Sequence, residues 1–63
     1  MDKKEALKIV QKDGFELENL PDHFKKDKEI VLVAVKQRGV ALQFADDSLK
    51  NDPDILAIVN KDK

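Results

Sequence analysis

The stretch from Asp27 to Gly39 places the strongest constraint on the fold, because it contains six consecutive apolar residues, Ile30 to Val35. A segment that is apolar on every side is either a buried strand or the buried middle of a helix, and periodicity alone does not choose between them. The β-branched residues favour a strand, whereas the flanks favour a helix. Asp27 can accept backbone hydrogen bonds as an N-cap, and Lys36 lies where a helix C-terminus favours positive charge.

The glycine at the end of this stretch predicts a left-handed helix ending. A glycine that follows the last helical residue commonly takes a positive φ, and the next residue then contacts the last turn. We therefore expect Val40 to contact Val35, and we expect Gly14 to close an earlier helix in the same way. Replacing Gly39 with alanine should then destabilise the fold by about 1 kcal/mol or more through this backbone conformation.

An internal repeat decides in favour of the helix. The shift that superposes Asp2 on Asp27 also superposes Asp27 on Asp52, and we call it the repeat shift. The third copy carries Ile55, Ile58 and Val59 at helical spacing, and the first copy has the same kind of spacing. Two recognisable helices in register with the central stretch make that stretch a helix too. The repeat shift also pairs Leu7 with Leu32, Val10 with Val35, Gly14 with Gly39, Leu17 with Leu42, Phe24 with Leu49 and Lys25 with Lys50.

The predicted fold is all-α, a small helical bundle of tandem units in which a longer helix is followed by a shorter one. Residues 2–26 form the first copy, residues 27–51 the second, and residues 52–63 a third copy reduced to its opening helix, all within a single domain covering 1–63. A unit of this kind cannot bury its apolar face alone, so the units must stack. The chain has no cysteine, so its stability must come from helix packing.

Local signals predict where the helices begin and end. A capping box formed by Asp2 and Glu5 begins a first helix that runs to about Asp13. A last helix is expected from Pro53 to about Asn60, since an aspartate directly before a proline is a strong start signal. Between these helices the sequence predicts a short helix that carries Phe15, Leu17 and Leu20 inward, a turn over residues 21–24, a mostly buried short helix over residues 40–45, and a turn or single helical turn over residues 46–50.

The second copy carries a longer pattern, which comprises Lys28-Glu29-Ile30-Val31-Leu32, Ala34-Val35-Lys36-Gln37, Gly39, Ala41-Leu42-Gln43-Phe44-Ala45, Leu49-Lys50 and Asp52. This pattern resembles the helical repeats catalogued as domain of unknown function 4116, which are often found in tandem in bacterial and some other proteins. The first copy departs from it, because Leu20 takes the place of a small residue and Pro21 precedes Phe24. The resemblance implies an all-helical repeat and no established activity, so it assigns no functional residues.

Composition argues against several classes of function. The chain has 12 basic and 13 acidic residues and a net charge of −1, which disfavours nucleic acid or an anionic membrane as the main partner. No apolar run reaches transmembrane length and the N-terminus lacks the apolar segment of a signal peptide, so we expect a soluble cytoplasmic protein. His23 is the single histidine, which leaves little for a histidine-based metal site or a catalytic triad. It aligns with Ser48, and an exposed turn is expected there.

No constellation of catalytic residues is visible, so the chain is not expected to be an enzyme. We assign no catalytic, cofactor-binding or metal-binding residue and expect no cofactor. The three phenylalanines, Phe15, Phe24 and Phe44, occupy repeat-defined positions and are expected in the core. Four acids near the C-terminus lack the spacing of a calcium loop, and most have capping roles. They are Asp46, Asp47, Asp52 and Asp54.

The sequence therefore predicts a protein–protein interaction module or structural spacer, bound to a protein partner or to neighbouring repeats of a longer chain. Ile58 and Val59 on the last helix are the expected partner-binding residues. The alternative is a weak nucleic-acid-binding module that uses a basic run and its neighbours, although acids surround that run. Its residues are Lys25, Lys26, Lys28, Lys36 and Arg38.

Overall fold

The computed structural model describes residues 1–61, and within them every regular element is a helix. The all-α prediction is confirmed. Applying the repeat shift to the bounds of the first three elements reproduces those of the next three, and the last helix begins at the position equivalent to Lys3 and Lys28. In chain order the elements are α1 (Lys3–Lys12), the 3-10 helix η1 (Gly14–Asn19), α2 (Asp22–Lys25), α3 (Lys28–Gln37), the 3-10 helix η2 (Gly39–Phe44), α4 (Asp47–Lys50) and α5 (Pro53–Lys61).

Aspartate side chains begin the three longer helices, as predicted. The Asp2 carboxylate accepts the backbone N–H of Glu5 at 2.9 Å, and the Asp27 carboxylate accepts that of Glu29 at 3.0 Å. At α5, the Asp52 carboxylate accepts the N–H of Asp54 at 2.9 Å. Each bond satisfies a backbone donor that the helix itself leaves free.

The predicted left-handed helix endings are wrong, because neither Gly14 nor Gly39 has a positive φ. α1 ends instead at Asp13, which is extended, with φ −152° and ψ 113°. α3 ends in the same way at Arg38, with φ −144° and ψ 111°. Each glycine then opens a 3-10 helix, and Val40 is 60% exposed rather than packed on the preceding helix. A left-handed backbone therefore gives no reason for Gly39→Ala to be destabilising.

Gly14 is needed for a close approach between backbones. An ideal Cβ built at Gly14 would lie 3.2 Å from the carbonyl carbon of Ala34 and closer still to its oxygen, well inside van der Waals contact. It would also lie 3.4 Å from the backbone nitrogen of Arg38. The absence of a side chain thus lets the start of η1 sit directly against the C-terminal half of α3.

The central helix α3 packs against α1, α2, α5 and both 3-10 helices, so it lies at the centre of the described structure. Four of its residues have no solvent exposure, namely Ile30, Val31, Ala34 and Val35. Leu32 and Val33 are half-buried, so the expected enclosure on all sides holds for most of the apolar run. The rest of the core is formed by Ala6, Val10, Leu17, Leu20, Phe24, Ala41, Ala45, Leu49 and Ile55.

The phenylalanines do not share one environment. Phe24 is buried, at 6% exposure, and Phe44 is half-buried against the core. Phe15 is 37% exposed, so its predicted place in the core is wrong. It lies on the 3-10 helix η1, where residues three apart share a face, and Leu17 and Leu20 take the buried face.

Candidate interaction surfaces

A lysine joins the first unit to the second. Lys3 is the first residue of α1, and its Nζ donates to Glu29 Oε1 at 2.8 Å and lies 3.1 Å from Asp27 Oδ2. Asp27 is the N-cap of α3 and Glu29 lies in its first turn, so a single ammonium group faces the start of the next helix. Hydrogen bonds to Glu29 and then to Asp27 raise the pKa of Lys3.

The same contact recurs one unit later. Lys28 begins α3, and its Nζ donates to Asp54 Oδ2 at 2.7 Å and lies 3.4 Å from Asp52 Oδ2. The hydrogen bond to Asp54 raises the pKa of Lys28 against the opposing effect of desolvation, and the bond to Asp52 adds to the rise. The two junctions use the same donor position and the same two acceptor positions, related by the repeat shift.

Two capping carboxylates have lowered pKa values. For Asp52, desolvation acts to raise the pKa, but the N–H of Asp54 and the Lys28 ammonium together outweigh it, so the pKa falls below 3.8. For Asp46, hydrogen bonds from the Ser48 hydroxyl and then from the Ser48 backbone N–H lower the pKa below the same reference value. Both carboxylates therefore cap the start of a helix in their ionised form, Asp46 at α4 and Asp52 at α5.

A backbone hydrogen bond also crosses the junction between the two units. The N–H of Asp46, just ahead of α4, donates to the carbonyl oxygen of Lys25 at the end of α2, at 3.1 Å. This bond ties the short helix of one unit to the short helix of the next. Contact between the units therefore involves the short helices as well as the longer helices and the 3-10 helices.

The two 3-10 helices carry a partly exposed aromatic cluster. The rings of Phe15 and Phe44 meet edge to face, with centroids 6.1 Å apart, and the Arg38 guanidinium lies 4.7 Å above the centre of Phe15. The Nε of Arg38 also lies 3.3 Å from Asp13 Oδ1. Val40, at the position equivalent to Phe15, is 60% exposed. Sequence analysis missed this cluster, although the shift that aligns Phe15 with Val40 places an apolar residue there in both copies.

The predicted partner-binding residues lie at the C-terminal end of the described chain. Ile58 and Val59 are half-buried, and both pack against the core from α5. Leu56 on the same helix is also half-buried but lies outside the packed core. Part of the surface of Ile58 and Val59 is therefore already used in holding α5 in place, and their role in binding a partner remains a prediction.

The other polar residues singled out from the sequence lie apart from one another or in ion pairs. His23 is exposed, as expected, but it lies on the helix α2 and not in a turn, and its ring centroid is 4.1 Å from that of Phe24. Asp47 pairs with Lys50 at 3.3 Å within α4. Among residues 1–61, no three acidic or histidine side chains gather as a metal site would require, and the surface has no pocket.

The five basic residues of the nucleic-acid alternative have different surroundings. Lys28 and Arg38 are both in ion pairs with acids. Lys25 is half-buried, whereas Lys26 and Lys36 are exposed. No helix in the described part of the chain combines the length and apolar character that crossing a bilayer requires.

Together these features define a class of protein, a small all-α protein in which a longer helix, a 3-10 helix and a short helix occur twice in succession. Residues 2–50 match the family described as Domain of unknown function (DUF4116), and because the match covers most of the chain, the protein belongs to this family. The match confirms the resemblance of the second copy and includes the first. The chain matched no curated protein and no solved structure.

Proposed function

We propose that this chain is a non-catalytic protein–protein interaction module, or a structural spacer, built to stack helical units in line. The observation that carries the proposal is the repeated junction, in which Lys3 and Lys28 each reach two acids at the start of the next long helix. A contact made twice in the same register indicates that the successive units of this chain dock on one another in the same way. Stacked helical units offer extended surfaces, which commonly bind peptides or other domains.

The burial pattern supports a role for the α5 end. Ile58 and Val59 are half-buried in the described chain, so each keeps some apolar surface open to a partner. A protein partner or a neighbouring repeat would cover that surface. The proposal includes a cytoplasmic location, which is compatible with a chain that has no cysteine to form disulfides.

Site-specific photo-crosslinking in cells of the source organism tests this function. The crosslinking residue is placed at Ala57, which is exposed on α5 next to Ile58, and in a matched control at Lys8, which is exposed on α1. We expect a defined protein adduct from Ala57 and none from Lys8. The captured partner is then identified, purified and titrated against the unmodified protein.

The interaction module is supported if the partner binds with a measurable dissociation constant. That constant should rise at least tenfold in Val59→Ser, and the variant must keep its helical content. If neither position gives an adduct and the pure chain is monomeric, the interaction role is wrong and the spacer remains. An adduct with nucleic acid instead would favour the basic-residue alternative. Nothing in the described geometry favours that alternative, because Lys28 and Arg38 already face carboxylates.

A further inference from the structure

Equivalent positions in the three long helices show which side of each helix faces the preceding unit. Ile30 on α3 and its equivalent on α5, Ile55, both have no solvent exposure. Their equivalent on α1 is Glu5, which is exposed. α1 has no described helix before it, whereas α3 follows α1 and α5 follows α3. This position therefore points toward the preceding unit.

A second set of positions points the other way. Val10 on α1 and Val35 on α3 have no exposure, and each lies on a helix that is covered by the 3-10 helix and long helix that follow. Their equivalent on α5 is Asn60, which is exposed. The position one helical turn earlier shows the same difference. Val31 is fully buried on α3, whereas its equivalent on α5, Leu56, is only half-buried.

The outer side of α1 is chemically unsuited to another unit. Three charged residues, Lys4, Glu5 and Lys8, stand where α3 has Glu29, Ile30 and Val33, and all three are exposed. A preceding unit would bury the Glu5 carboxylate in the place of an isoleucine, and a buried unpaired charge is strongly unfavourable. Lys4 would also put a positive charge where the junction needs an acid to receive the lysine of the preceding unit.

The outer side of α5 has the opposite character. Leu56 and Ala57 are apolar, Asn60 is neutral, and none of them brings a charge that burial would leave unpaired. The lysine of the junction does not continue, since Pro53 occupies the position of Lys3 and Lys28. A unit docked here would therefore be held by apolar contact without the ion pair.

From these two faces we infer, resting on the proposed function, that stacking in this protein has a direction. The outer α5 face, defined by Leu56, Ala57 and Asn60, accepts one further helical unit of the same design, a 3-10 helix followed by a short helix and a long helix. The outer α1 face, defined by Lys4, Glu5 and Lys8, is a closed end. The occupant is specified by continuity with the two junctions already present in the chain.

Two extended chains test the direction. In the first, residues 39–63 are repeated directly after Lys63, which continues the repeat register on the α5 side. In the second, residues 2–26 are repeated directly before Asp2, which adds a unit of the same length on the α1 side. Each extended chain keeps residues 2–63 uninterrupted and therefore retains both α1 and α5. Urea unfolding followed by circular dichroism gives the midpoint and the slope of unfolding, and the slope grows with the surface that unfolds together.

We expect the α5-side extension to unfold in one transition with a higher midpoint and a larger slope than the natural chain. The α1-side extension should show the midpoint of the natural chain or lower. The outer α1 face of the original residues 2–63 can then be given the residues that α3 has at these positions, by combining Lys4→Glu, Glu5→Ile and Lys8→Val. This change should raise the midpoint of the α1-side extension to that of the α5-side extension. An equal gain on the α1 side without these changes would overturn the inference, as would an α5-side extension that gains nothing or whose added unit does not fold.

A single substitution gives an independent check. Leu56→Gln should lower the midpoint of the natural chain only slightly, because that side chain lies outside the packed core. The same substitution should lower the midpoint of the α5-side extension several times more. Equal effects in the two chains would mean that the added unit does not cover the outer α5 face. These results do not depend on capturing a separate partner, so the direction of stacking and the interaction role can fail separately.

Discussion

The contact between Gly14 and α3 makes Gly14→Ala the most informative single substitution. The new methyl group would lie 3.2 Å from the carbonyl carbon of Ala34 and 3.4 Å from the backbone nitrogen of Arg38, and closer still to the Ala34 oxygen. These are backbone atoms of a helix and of its C-cap, so no side-chain rotation can relieve the contact. Either η1 or the end of α3 must move, although both help to cover the core.

The size of the effect follows from two opposing contributions. Overpacking in a filled interior costs about 1–3 kcal/mol, and this contact belongs at the upper end. Alanine also restricts the unfolded chain, which returns about 0.4–1 kcal/mol where the native φ is compatible. The φ of Gly14 is not positive, so that gain applies. The net loss is about 2 kcal/mol, which in a domain of this size lowers Tm by roughly 8–16 °C.

The assay measures Tm and the free energy of unfolding by heat and by urea. It compares Gly14→Ala and Gly39→Ala with the unsubstituted protein. Both glycines open a 3-10 helix without positive φ, so the effect on the unfolded chain is common to the two variants. We expect Gly14→Ala to be the less stable of the pair. Adding Ala34→Gly should not rescue it, because the obstructing atoms belong to the backbone. A Gly14→Ala protein as stable as the natural chain, or more so, would refute the reasoning.

Three further measurements test other parts of the structure. Asp27→Ala removes the N-cap of α3 and should lower the free energy of unfolding by about 1 kcal/mol in urea titrations. The lowered pKa values of Asp46 and Asp52 contribute stability that is fully present above pH 3.8. That stability should fall as the pH drops through the folded values, and it should change less with pH in Asp46→Asn and Asp52→Asn. Fluorescence anisotropy with single-stranded RNA or duplex DNA at low salt should show no saturable binding; steeply salt-dependent binding that weakens in Lys26→Ala would revive the nucleic-acid alternative.

Sequence patterns predicted features whose cause is local. The N-cap at Asp27 depends on a carboxylate meeting the nearby backbone N–H of Glu29, and such a contact can be read from residue type and spacing. The requirement for glycine at position 14 is different, since it comes from Ala34, which lies far along the chain, and no local pattern encodes that approach. The repeat-defined position of Phe15 predicts a place in the core, but Phe15 and its equivalent Val40 are both exposed. A repeated apolar residue does not by itself indicate which face of a 3-10 helix it occupies.

The junction contacts were within reach of the sequence but were not predicted. The repeat shift superposes Lys3 on Lys28, and it superposes Asp27 and Glu29 on Asp52 and Asp54. Residue pairs alone did not indicate that one lysine would bridge both acids, because that depends on how adjacent helices are aligned. The different characters of the outer α1 face and the outer α5 face become visible only when the burial of equivalent residues shows which side of each helix faces the preceding unit.

The repeated junction also limits how far apart along the chain its partners can be. Lys3 and Lys28 each reach forward by one unit, to the start of the next long helix, and Arg38 reaches back by one unit to Asp13. The loop that must close to form each junction is therefore the same length wherever it lies, and the entropy lost in closing it does not grow as units are added. Each further unit of this design would therefore bring a new junction at the same loop-closure cost as the last.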